Sequence, residues 1–132
     1  MRLLFFVFAL TVCSAANAQD AYKCVILDYV QIQDDGTFGE PVLPPEIGAD
    51  FVVDRGTGRM SGALNNHKSF AEPQVLDMGS SEQAYKAITV YGPLVSVEFL
   101  YVEEFAESRQ KPFFFVGGLS GQTISSGLCE AY

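Results

Sequence analysis

From residue 20 onward the apolar side chains fall in short alternating runs, each closed by glycine, proline, asparagine or aspartate. No run keeps the 3.6-residue period of a helix for ten residues. Tyr22 to Gln33 alternates as a strand, with Tyr22, Cys24, Ile26, Asp28, Val30 and Ile32 on one face, and Asp34-Asp35-Gly36 turns the chain. Phe38 to Asp50 contains Pro41, Pro44 and Pro45 and reads as an extended loop. Phe51 to Asp54 and Arg59 to Leu64 flank Arg55-Gly56-Thr57-Gly58, a hairpin signal because glycine accepts positive φ. Asn65 to Pro73 is polar and irregular, and Gln74 to Met78 is a short strand. Ser80-Ser81-Glu82-Gln83 can cap one helical turn before Ala84 to Tyr91 returns to β-formers.

The strongest strand pattern is Leu94 to Phe105, with Val95, Val97, Phe99, Tyr101, Glu103 and Phe105 on one face. Phe113 to Val116 is a continuous apolar run, read as a strand buried on both faces or lining a contact, and Gln122 to Tyr132 closes the chain. About seven short strands at this spacing predict an all-β fold. The expected architecture is a small antiparallel β-sandwich or barrel with at most one short helical turn.

The chain's first residues follow a different pattern. Arg2, the apolar run Leu3 to Val12, and small residues ending in Ala16-Asn17-Ala18 form the three parts of a secretory signal peptide cleaved after Ala18. A bilayer-crossing helix needs about 20 apolar residues, so this run is too short to be an anchor. The competing lipoprotein reading, attachment through Cys13 in Leu10-Thr11-Val12-Cys13, is disfavoured because Val12 stands where a small residue is usual. Residues 1–18 are thus the expected signal and residues 19–132 a single exported β domain in the periplasm or outside the cell.

Removal of Arg2 leaves seven basic against sixteen acidic residues, a net charge of −9. That balance repels a phosphate backbone and an anionic membrane surface, so neither nucleic acid nor membrane is an expected partner. Cys24 and Cys129, near opposite ends of the exported domain, are expected to form a disulfide linking the first and last strands.

Few residues carry chemistry. His67 has no second histidine or free thiolate beside it in the sequence, and Asp34-Asp35-Gly36-Thr37 lacks the spacing of a calcium loop. Ser120, in Gly118-Leu119-Ser120-Gly121, lacks the second glycine of a nucleophile elbow. No metal, cofactor or catalytic residue is assigned. Asp28 and Glu103 fall on apolar strand faces, where a carboxylate can be partly buried and raised in pKa. Tyr91, Tyr101, Phe113, Phe114 and Phe115 are the candidate binding surface, since aromatic anchors dominate interfaces.

The Tyr22-x-Cys24 opening, the late Cys129 and the small exported β domain resemble the periplasmic C-type lysozyme inhibitors. Ser61-Gly62-Ala63 is similar to part of that family's inhibitory loop, with Leu64-Asn65 standing where its Arg-Tyr pair is expected. An acidic β domain suits a basic enzyme as partner through electrostatic steering. The expected function is an exported binding protein, an inhibitor or accessory factor that engages another envelope or secreted protein and is not itself an enzyme. A β-barrel carrier of a small apolar ligand is the alternative, and a hydrolase using Asp28 and Glu103 is third.

Overall fold

The computed structural model describes residues 20–66, 71–92, 96–117 and 122–132. The expected signal peptide, Cys13, His67 and Ser120 lie outside the described residues. The fold is all-β, a single antiparallel sheet curled into a half-barrel, with no α-helix among the described residues. Nine strands are described: β1 (Ala21–Ile32), β2 (Phe38–Gly39), β3 (Asp50–Asp54), β4 (Met60–Gly62), β5 (Gln74–Met78), β6 (Tyr85–Tyr91), β7 (Ser96–Val102), β8 (Gln110–Gly117) and β9 (Thr123–Ala131). Their order across the sheet is β4-β3-β1-β9-β8-β7-β6-β5, with β2 added to β1. The segment Ser80 to Gln83, expected as a helical turn, is a non-helical turn in which Ser80 N–H donates to the Gln83 carbonyl at 2.9 Å and Glu82 N–H donates to Ser80 Oγ at 3.2 Å.

The two ends of the chain meet where β1 lies beside β9. Cys24 and Cys129 are direct cross-strand partners and form a disulfide, as the cysteine spacing predicted. Both are buried in the core, beside Tyr22 and Phe113. Edge-to-face ring pairs fill the space between the curled walls: Tyr22 with Tyr85 at 5.4 Å, and Phe51 with Phe113 at 5.3 Å.

A bulge at Leu27 changes what β1 presents. Ile26 pairs with Gly127 on the inner face, but the next paired residue, Asp28, lies opposite Ser126 on the outer face. An extra residue in a strand reverses the alternation beyond it. Tyr29 and Gln31 therefore point inward, and Val30 and Ile32 turn out, opposite to the uninterrupted alternation expected from the sequence. Gly127 admits this local approach: a Cβ there would lie 1.9 Å from the Val25 carbonyl oxygen.

The edges β4 and β5 are not paired to each other by a backbone ladder. The Asn66 side chain instead ties β4 to β6. Asn66 Oδ1 accepts from Met60 N–H, and its Nδ2 donates to Thr89 Oγ1 at 3.4 Å on β6. Lower down, the β3–β4 turn packs against β5 and β6: a Cβ on Gly58, which has φ of 74°, would meet Ala87 Cβ at 3.2 Å and Pro73 Cβ at 3.3 Å.

Candidate functional site

The half-barrel has two unlike ends. The lower end holds the start of β1, the β3–β4 turn, the β5–β6 turn and the segment after β7. Here Arg55 lies over the Tyr22 ring, with Cζ at 4.8 Å from its centroid. Its Nη2 donates to the Met78 carbonyl at 3.1 Å and stands 3.9 Å from Glu104 Oε1. Tyr22 Oη donates to Glu104 Oε2, and Tyr85 Oη donates to the Arg55 carbonyl at 3.1 Å. Burial pushes the Tyr22 phenol well above its ordinary pKa, and the Glu104 carboxylate adds to the shift. Burial also pushes Tyr85 up, to about 12. In the same turn, Asp54 Oδ1 accepts from both the backbone N–H and the hydroxyl of Thr57 at 2.8 Å, which lowers the Asp54 pKa. This end is a bonded cluster that closes the barrel.

The upper end is built by the β1–β2 turn and the connection from β2 to β3. Asp35 Oδ1 accepts from Thr37 Oγ1 at 2.7 Å and from Thr37 N–H at 2.9 Å, bonds that hold its carboxyl below the usual range. Phe38, Val42, Leu43 and Ile47 are all exposed large apolar side chains in this one stretch, with Val42 at 80% and Leu43 at 75%. Beside them a recess of about 240 Å³ opens between Leu43, Pro44, Leu64, Phe115, Ser125 and Glu98. Glu98 is 95% buried on the inner face of β7 and accepts from Tyr91 Oη at 2.8 Å.

Charge divides along the same axis. All six Lys and Arg among the described residues, Lys23, Arg55, Arg59, Lys86, Arg109 and Lys111, sit in the lower half. Five have carboxylate partners there: Lys23 with Asp50, Arg55 with Glu104, Arg59 with Glu72, Lys86 with Asp77 and Arg109 with Glu130. Lys111 instead donates to the carbonyls of Glu104 and Ala106. The upper half carries Asp28, Asp34, Asp35, Glu40, Glu46 and Glu98, with no described cation among them. No protein-family model matches this chain, nor does any curated protein or solved structure. A functional reading therefore stands on this geometry.

The candidate residues read from the sequence divide between two faces. Tyr91, Phe113 and Phe115 are buried inside the half-barrel and do not form a surface, because β6 and β8 turn these alternate positions inward. Tyr101 and Phe114 are cross-strand partners on the outer face and stack at 4.9 Å, with Phe99 at 6.0 Å from Phe114. Asp28 is exposed rather than partly buried, since the Leu27 bulge turns it outward. Glu103 is half-buried just beyond β7, and β9 and β8 stand between its strand and that of Asp28. The structure does not bring these two carboxylates together.

Two features escaped the sequence reading. Glu98 was missed because the strand period in β7 was right and its phase was not: Ser96, Glu98, Leu100 and Val102 face inward. Val97, Phe99 and Tyr101 looked like the core face because the outer face of this sheet is also apolar. The exposed loop apolars Val42, Leu43 and Ile47 had a visible signal, large aliphatic residues among prolines with no strand to bury them.

Proposed function

We propose that the chain is an exported binding protein whose upper end docks on a basic partner protein. The observation that carries this reading is the segregation of charge: the described cations and their partners occupy the lower half, and the upper half offers carboxylates around exposed Phe38, Val42, Leu43 and Ile47. Exposed apolar groups inside a one-signed rim suit an interface in which the rim steers encounter and the apolar groups supply contact. Ser61-Gly62-Ala63, the stretch similar to the inhibitory loop of the C-type lysozyme inhibitors, runs from the end of β4 to the recess, which Ala63, Leu64 and Asn65 line. A C-type lysozyme is accordingly the first basic enzyme to test, with a pancreatic-type ribonuclease as the second.

The test measures association and dissociation of the chain, purified after export, with each enzyme at about 50 and about 300 mM salt. Binding by at least one of them is expected, with an association rate that falls about tenfold or more at the higher salt. A quadruple variant, Asp34→Asn, Asp35→Asn, Glu40→Gln and Glu46→Gln, should slow association at low salt and leave dissociation near its original rate. Absence of binding by both enzymes, or binding indifferent to salt and to the four substitutions, would overturn the reading.

A further inference from the structure

Within the docking end, the loop from Glu40 to Glu46 differs from the rest of the surface. Val42 and Leu43 lie at a bend outside any strand, and both are at least three-quarters exposed. The bend turns two consecutive aliphatic side chains to solvent as the crest of a ridge, with Leu43 on the side that borders the recess.

The ridge is held at its base. Gln33 Nε2 donates to the Glu40 carbonyl at 3.2 Å, and Val42 N–H donates to Gln31 Oε1 at 3.2 Å. Pro41 is buried, and Pro44 and Pro45 have φ fixed by their rings. On the far side, Gly48 N–H donates to the Ile26 carbonyl at 2.8 Å and Ile26 N–H donates to the Ala49 carbonyl at 3.0 Å. These bonds fall next to the Leu27 bulge, so β1 anchors both legs of the loop. Pre-ordering of this kind lowers the entropy lost on binding.

We propose that Glu40–Glu46 is a preorganised insertion loop that places Val42 and Leu43 in an apolar cleft of the basic partner, with cationic groups on the cleft's rim meeting Glu40 and Glu46. A flat partner would touch only the crest of a ridge, whereas a concave one covers both of its sides. The carboxylates that bracket the two aliphatic residues set the sign of the rim. This inference rests on the reading of the upper end as the docking end, and adds which element enters and what shape receives it.

The test uses the enzyme, lysozyme or ribonuclease, that binds in the salt experiment. Leu43→Ala should raise the dissociation rate about tenfold with the association rate unchanged, because apolar contacts form after encounter. Pro44→Gly with Pro45→Gly should weaken affinity about threefold or more through lost preorganisation, beyond what any loss of folded fraction accounts for. Bound enzyme should also lose turnover of a small substrate, since the loop occupies the cleft. If both loop variants dissociate like the original chain while the quadruple carboxylate variant still slows association, the insertion loop is wrong and the docking end stands. Retained turnover in the saturated complex would likewise overturn insertion into the cleft. If neither class of variant has an effect, both readings fall together.

Discussion

Each end of the half-barrel contains a tyrosine that donates to a glutamate, Tyr22 to Glu104 below and Tyr91 to Glu98 above. Below, Arg55 covers the Tyr22 ring, stands beside Glu104 and ties the β3–β4 turn to Met78, so the cluster is enclosed by the chain's own groups. Above, Glu98 lines the recess under Leu43 and Pro44, and the described loop beside it carries carboxylates and exposed aliphatic side chains. Stability and recognition therefore lie at opposite ends. Groups bonded within the chain contribute to stability and leave little to offer a partner, whereas exposed apolar side chains in a one-signed field contribute little to folding and suit recognition.

The sharpest way to break this division is to open the lower half. Replacing both Cys24 and Cys129 with alanine removes a bridge spanning 105 residues of sequence. The chain-entropy model gives a loss of about 5 kcal/mol for a loop of that size. Denaturant midpoints of the oxidised chain and the double variant should show it. A loss below about 1 kcal/mol would mean that closure at β1 and β9 is held by the ladder and core alone.

A smaller effect is expected from Arg55→Met, which keeps a long side chain and removes the charge. It loses the contact over Tyr22 and the bond to Met78 and leaves Glu104 without this cation, at a cost of about 2 kcal/mol. Thermal unfolding at neutral pH checks it. An unchanged midpoint would show that the cluster is decorative, and that the contrast between the ends is one of charge sign only.

How much of that contrast the sequence could reveal depends on which interactions are local. The Arg55-Gly56-Thr57-Gly58 hairpin and the Asp34-Asp35-Gly36 turn were legible because turn chemistry is written in adjacent residues. The disulfide was legible because two cysteines in a domain read as exported leave one pairing. The faces of β1 and β7 were not. In β1 the bulge at Leu27 inverts the phase without any marker in its own residue type. In β7 the inner and outer positions are comparably apolar, so hydrophobic alternation gives the period but not its direction. The Arg55–Tyr22–Glu104 cluster draws on residues 82 positions apart and has no local signature.

Alkaline titration tests the lower end by a different route. Tyr22 and Tyr85 both have folded pKa values above the unfolded value of 10.0, Tyr85 at about 12. The folded state then holds these protons more tightly than the unfolded state. Their contribution is complete below pH 10 and is lost as pH rises from there through the folded values. For Tyr85 alone the loss at about pH 11 is on the order of 1 kcal/mol, with Tyr22 adding in the same direction. Tyr85→Phe should flatten this part of the stability curve. A stability that stays level from about pH 9 to about pH 12 would contradict the burial of both phenols.

The smallest expected change in stability is the most informative about the upper end. Leu43→Ala removes a side chain that already faces water, so its effect on unfolding free energy should stay within about 0.5 kcal/mol. The same substitution is expected to speed dissociation from a bound enzyme about tenfold. Measured together by denaturation and binding kinetics, the two numbers decide what Leu43 is for. A large stability loss would mean that it packs against the fold and that its exposure has been misread. An intact stability with faster dissociation would mean that an aliphatic side chain is kept in water because a partner covers it, and the two ends would then differ in function as they differ in structure.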